Sequence, residues 1–165
     1  MKIMKTIFIV RHAKSSWEYE GVEDIDRPLK KRGIKDAYLV SKGLQKKIET
    51  PSVFIASCAN RALHTAMIFS YAFNYPLANL KISKSLYSFS DGYLIKTVKA
   101  LDDGFDSAII FSHDHGINDF VNKFGDKVIP HVPTCGVVAI EFNTKHWKNI
   151  KVGKTLFTEF PRYYK

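Results

Sequence analysis

Long apolar runs, cysteine clusters and glycine-rich phosphate loops are all missing from this sequence. The apolar runs are short, such as residues 6–10 and 108–111, well below the roughly 18 residues that a membrane-spanning helix needs. Only two cysteines occur, Cys58 and Cys135. They are far apart and form no Cys-x-x-Cys pair, which fits reduced thiols in a cytoplasmic protein. Motifs of the Gly-x-x-x-x-Gly-Lys or Gly-x-Gly-x-x-Gly type are absent, so nucleotide-switch and dehydrogenase readings have no support. No repeat, low-complexity stretch or linker breaks the chain, and one continuous domain over residues 1–165 is expected. Residues 1–5 are basic, but a strand-like run follows at once without a small-residue cleavage site, which reads against a secretory signal.

Acidic residues are outnumbered, 16 against 25 lysines and arginines, for a formal charge of +9. Such a balance attracts polyanions. The lysines are nevertheless spread along the chain, Lys30, Lys31, Lys46, Lys47, Lys148 and Lys151 among them, as on a solvated surface. Function is therefore sought in individual residues. With 45% hydrophobic and 25% charged residues the composition is that of a globular domain, which excludes disordered and collagen-like chains.

What is present is an alternation of buried-type strands and helical patterns. Thr6-Ile7-Phe8-Ile9-Val10, Ser52-Val53-Phe54-Ile55-Ala56 and Ser107-Ala108-Ile109-Ile110-Phe111 do not alternate polar with apolar, as strands of a parallel sheet covered on both faces would not. Between them Ile34, Ala37, Tyr38, Leu44 and Ile48 recur at helical spacing after an entry signal around Pro28. Residues 62–73 and 90–101 are two further helix candidates, the second opened by Ser90 as N-cap. Residues 136–142 and 150–157 read as an antiparallel pair at one side. The expected fold is a three-layer α/β/α sandwich with a mostly parallel central sheet and an antiparallel C-terminal strand pair.

Three polar clusters follow three of these strands: Arg11-His12-Ala13-Lys14-Ser15, Ser57-Cys58-Ala59-Asn60-Arg61 and Ser112-His113-Asp114-His115-Gly116. Ligands of open α/β sheets bind outside the carboxyl ends of the strands, so parallel strands would bring the clusters together. Two guanidiniums suit the oxygens of a phosphoryl group. A neutral imidazole can attack phosphorus to form a phosphohistidine, and nearby cations lower its pKa toward that form. A second imidazole, kept protonated by the bound anion, can stabilise the transition state. Neither metal nor cofactor is required.

At these residues the chain resembles the histidine phosphatase superfamily, which includes phosphoglycerate mutases. Arg11-His12 is similar to its Arg-His-Gly signature, Ser57, Arg61 and Thr65-Ala66 to its second arginine motif, and Ser112-His113 to its Gly-His motif. The run from Arg11 to Trp17, with Asp26-Arg27-Pro28-Leu29 and Lys31-Arg32-Gly33, resembles the SixA-type phosphohistidine phosphatase branch. The resemblance implies a phosphoglycerate mutase-like fold, His12 as the phosphorylated nucleophile, and Arg11, Arg61 and His113 as the phosphate pocket. Lys14, Ser15 and Asp114 are candidate substrate contacts.

The departures are Ala13 for glycine, Cys58 for proline, and Asp114-His115 where the branch carries Asn-Pro. Ser88 stands after Leu86-Tyr87, where relatives with a built-in acid place a glutamate. Ester hydrolysis gains typically 10²–10⁴-fold from a positioned acid, whereas a phosphohistidine nitrogen leaves more easily. The missing glutamate therefore favours phosphohistidine on a signalling or phosphotransfer protein. A loop or helix-capping role is the first expectation for Asp114, with proton donation as the alternative.

Two other functional readings stay open. One is a broad phosphomonoesterase or mutase acting on small phosphorylated metabolites. The other is a non-catalytic module binding phosphate or nucleic acid, to which the aromatic and basic tail, residues 160–165, would contribute; more often such a tail packs back or frays. His113-x-His115 has metal-ligand spacing, but His64, His131 and His146 are isolated and read as structural. Cysteine-phosphatase chemistry fails on spacing: Cys58 lies three residues before Arg61, and Glu141 stands where Cys135 would need an arginine. A phosphorylated protein or small phosphate ester is the expected partner; neither a membrane nor nucleic acid is.

Overall fold

A computed structural model describes residues 3–165; residues 1 and 2 of the basic N-terminal stretch lie outside it. The strands are β1 (Met4–Arg11), β2 (Val53–Ser57), β3 (Lys81–Ser83), β4 (Ser107–Ser112), β5 (Val137–Asn143) and β6 (Lys154–Glu159). The helices are α1 (Lys31–Gln45), α2 (Asn60–Ala72), α3 (Gly92–Lys99) and α4 (Gly116–Phe124). The six strands form one sheet in the order β3-β2-β4-β1-β5-β6. Pairings from β3 to β1 are parallel, while β5 and β6 continue the sheet antiparallel.

Both faces of the sheet are covered, which is why its central strands carry no polar alternation. Phe8, Val10, Phe54, Ile109 and Phe111 pack with Ala37, Val40 and Leu44 of α1 and Ala66 and Phe69 of α2. Ile7, Ile9, Ile55 and Ile110 face the other way, against Leu94 and Val98 of α3 and Ile117, Phe120 and Val121 of α4. The expected three layers are therefore present. No helix among the described residues is long and apolar enough to cross a membrane.

Local readings needed three corrections. Tyr38 is exposed; the inner stripe of α1 runs instead through Gly33, Asp36, Ala37, Val40, Ser41 and Leu44. Ser90 is not the N-cap of α3. The helix starts at Gly92 behind Asp91, and the Ser90 carbonyl lies where a Cβ on Gly116 would fall, 2.6 Å away. Strand β3 carries no apolar signature because it is a three-residue edge with two exposed residues. The tail packs back: Tyr164 donates to Glu159 at 2.9 Å, and Lys165 pairs with Asp36 at 3.2 Å.

The connection after β1 runs to α1 on one face, and that after β4 runs to α4 on the other. Adjacent parallel strands whose connections part in this way leave a crevice at their carboxyl ends. Register places Arg11 opposite Ser112, and the His12 N–H donates to the Ser112 carbonyl at 3.1 Å. The chain therefore delivers His12 and His113 to the same edge.

Candidate active site

A pocket of about 300 Å³ opens at this crevice, lined by residues of all three polar clusters: Arg11, His12, Lys14 and Ser15, then Arg61, then His113 and Asp114. The rings of His12 and His113 lie 5.2 Å apart between centroids. Every candidate named from the sequence thus borders one cavity.

His12 is buried, and its Nδ1 lies 2.8 Å from the Ala13 carbonyl. A carbonyl only accepts, so Nδ1 carries the proton and Nε2 keeps the lone pair. Burial holds the imidazole down to about 4, helped by the charges of Arg61, Arg11 and Arg27 and opposed by the Ala13 carbonyl. The ring is consequently neutral near pH 7, as a nitrogen nucleophile must be.

His113 pairs through Nε2 with the Ser57 hydroxyl at 2.9 Å. That hydroxyl already accepts the Ala59 N–H at 3.2 Å and has its own proton to give. Donation to Nε2 places the imidazole proton on Nδ1, a buried nitrogen without a protein partner. Burial, then the proximity of His12 and Arg61, lowers His113 to about 3. The ring is neutral here, yet it offers an N–H; the protonated form expected from the sequence is one held by a bound anion. Ser57, read from the sequence as a turn residue, is instead the last residue of β2 and orients His113.

The local sequence explains the arginine motif. Arg61 sits in the first turn of α2. Thr65, one turn later, donates to the Arg61 carbonyl at 2.7 Å and accepts the Ala13 N–H at 2.9 Å. This side chain-to-backbone bond ties the loop carrying His12 to the helix carrying Arg61. Gly33 has a similar duty at the start of α1, since a Cβ there would meet the Lys14 carbonyl at 2.2 Å; only glycine lets the helix approach the loop so closely.

Sequence reading missed a group contributed by the 3-10 turn Asp24–Asp26. Asp24 accepts from Arg27 at 3.0 Å, from Arg61 at 3.0 Å and from the Tyr87 hydroxyl, and its carbonyl accepts from Arg61 at 2.6 Å. Burial works against its ionisation, but the bonds from Tyr87, Arg27 and Arg61 prevail and hold it down to about 2. Arg27 also donates to Ser15 and to the Ser16 carbonyl. Ser15 is therefore occupied in holding Arg27, while Lys14 is an exposed side chain at the rim. The one signal pointing here was the Asp26-Arg27-Pro28-Leu29 stretch, which marked Arg27 but not Asp24.

Arg11 donates to the Val132 carbonyl at 3.0 Å and lies 3.8 Å from Asp114 and 3.4 Å from His131. His131, isolated in sequence, is a neighbour of the site. Arg11 Nε, His113 Nδ1 and Asp114 Oδ1 are buried without hydrogen-bond partners, and all three residues line the cavity. Buried polar atoms are normally satisfied, so two orphaned donors at one cavity point to an anion. The side chains of the His113-x-His115 pair part company, one buried and the other largely exposed. Burial raises the Cys135 thiol far above its ordinary range, which removes it as a thiolate.

A profile described as histidine phosphatase superfamily (branch 1) matches residues 7–86, a span containing the Arg11-His12 and Arg61 motifs and ending before His113. An uncharacterized protein of Mycobacterium tuberculosis strain H37Rv is 24% identical over 154 residues, 87% of this chain and 93% of that protein. The solved structure of the protein histidine phosphatase SixA complexed with tungstate superposes with a TM-score of 0.83 at 19% identity, over 97% of this chain and 99% of that one. Phosphoglycerate mutase from Bacillus anthracis gives 0.65 at 15% identity, over 96% and 93%. The fold of this chain is that of these proteins.

Proposed function

We propose that this chain, whose residues 7–86 match the histidine phosphatase superfamily (branch 1) profile, removes phosphate from phosphohistidine through a covalent intermediate on His12. The observation that carries the reading is the convergence on one cavity of an imidazole lone pair with the unspent donors of Arg11 and His113. Arg61 joins them, since Asp24 uses only one N–H on each of its terminal nitrogens.

In the first step Nε2 of His12 forms a bond to phosphorus while the bond from phosphorus to the departing ring nitrogen breaks. The electron pair stays with that nitrogen, and a substrate imidazole already protonated on its other nitrogen leaves neutral. Water then attacks phosphorus, the P–Nε2 bond breaks, and a water proton passes to solvent as His12 returns to its neutral form. The fixed donors stabilise the equatorial oxygens in both steps. The chemistry asks for no metal. Asp114 and Ser15 fit supporting places, Asp114 beside Arg11 and Ser15 beneath Arg27.

Two features favour phosphohistidine. No glutamate follows Tyr87, where Ser88 stands, and Asp24, one of two carboxylates lining the pocket, is ionised and spent on arginines and Tyr87. A histidine-phosphorylated signalling or phosphotransfer protein in the cytoplasm is the proposed substrate. One observation favours a second reading: Asp114 Oδ1 is buried, unpartnered and at the cavity, where a protonated carboxyl could serve an alkoxide leaving group and make the enzyme a broad phosphomonoesterase. Phosphate release from a histidine-phosphorylated protein and from glycerol phosphate separates them. The first substrate is expected to turn over at least about 100-fold faster, the scale of a missing general acid; comparable rates would transfer the assignment to the second reading.

A further inference from the structure

Two large aromatic side chains stand exposed at the mouth of the pocket. Trp17 is 76% and Phe89 54% exposed, and both line the cavity. Exposed aromatics are ordinary when scattered; Tyr71, more exposed than either, borders no such cavity. Trp17 and Phe89 differ because each is held against a polar group of the pocket. The Arg27 guanidinium lies 3.2 Å from the centre of the Trp17 ring, and Arg27 is itself fixed by Asp24, Ser15 and Ser16. Phe89 packs 5.6 Å from the His113 ring and 6.0 Å from Tyr87. One aromatic thus stands on the arginine side of the mouth and the other on the histidine side, each positioned at little further entropic cost.

We infer that Trp17 and Phe89 form a specificity rim that selects a phosphoryl group carried on a flat aromatic ring. The inference rests on the phosphatase reading of the pocket and deepens it by naming the shape of the leaving group. The imidazole of phosphohistidine meets that description, and so does a phenol; an alkyl chain or a polyol does not. With the phosphoryl group seated on the buried donors, the ring attached to phosphorus is left at the mouth, within the layer these two side chains occupy. Stacking on an aromatic face discriminates by shape, since offset and edge-to-face arrangements both require a ring.

Phenylphosphonate and methylphosphonate, which carry no hydrolysable ester, test this without turnover. Their affinities are measured by competition against a chromogenic phosphate substrate and by tryptophan emission. The two tryptophans separate cleanly: Trp147 is fully buried beside Lys5 at the start of β1, so a ligand-induced change in emission reports Trp17. Wild-type protein is expected to prefer phenylphosphonate by about tenfold or more, and Trp17→Ala and Phe89→Ala each to shrink that preference about three- to tenfold, the scale of an aromatic pair. Phe89→Tyr, which keeps the ring, is expected to retain it. Equal affinity of wild-type protein for the two phosphonates, or a preference unchanged in both alanine variants, overturns the rim while leaving the phosphatase reading intact. Failure of both phosphonates to bind removes the anion site and the rim with it.

Discussion

His12 and His113 are weak bases in this protein, held to about 4 and about 3 by burial and neighbouring charge. Both values lie below the ordinary 6.5, so the folded state resists protonation that the unfolded chain accepts. Stability from these groups is complete above pH 6.5 and declines as the pH falls through 4 and 3. The proposed nucleophile accordingly stays unprotonated well into acid. The acid limb of kcat/KM, corrected for substrate ionisation near pH ~6, is expected to bend near pH 4; a bend at 6.5 would mean that His12 is not the titrating nucleophile. Asp24 presents a second case. Its charge fixes Arg61 and Arg27, so Asp24→Asn should lower kcat by between about 10- and 100-fold through misplacement of the guanidiniums. Removing that negative charge should also make inorganic phosphate a stronger inhibitor. Both changes are read from one set of product-inhibition curves; weaker inhibition with unchanged kcat would deny Asp24 a positioning role. Arg11, His12, Arg61 and His113 were legible in the sequence because each ends or follows a strand, or opens a helix, whose register is set by apolar residues. Asp24 was not, because it lies in an irregular stretch without hydrophobic period, and its importance comes from a turn folding back across the pocket.

The elements that hold the site were legible to different degrees. Strands β1, β2 and β4 declared themselves by unbroken apolar runs, a consequence of burial on both faces. Edge strand β3 has only Ile82 as an apolar residue and left no trace. The start of α3 was misplaced because backbone packing of Ser90 against Gly116 overrides its capping preference. The link between α2 and the loop after β1 depends on a single hydroxyl. Thr65→Val keeps the shape but leaves the Ala13 N–H without its acceptor, at an expected cost of about 1–3 kcal/mol in denaturant unfolding. Thr65→Ser should recover most of it. Equal stability of the valine variant and wild type would show that the clip between loop and helix carries no weight.

Taken whole, the molecule is a basic body, +9 in formal charge, with the proposed anion pocket at the carboxyl ends of its central strands. Long-range attraction of this sign raises encounter rates with anionic partners and is screened by salt. For a histidine-phosphorylated protein substrate, kcat/KM is expected to fall about tenfold or more between low and high ionic strength while kcat holds, since bound phosphate is shielded inside the cavity. A salt-independent kcat/KM would leave the surface charge without a role in substrate capture. The central claim, that four residues brought together by sheet register perform phosphoryl transfer through His12, is tested most directly by mass spectrometry of protein mixed with substrate and quenched without acid. The account predicts one added phosphoryl group, mapped to His12, and none on His12→Ala. Phosphate release by wild-type protein with no phosphorylated histidine, or a His12→Ala variant that turns over at the wild-type rate, would contradict it.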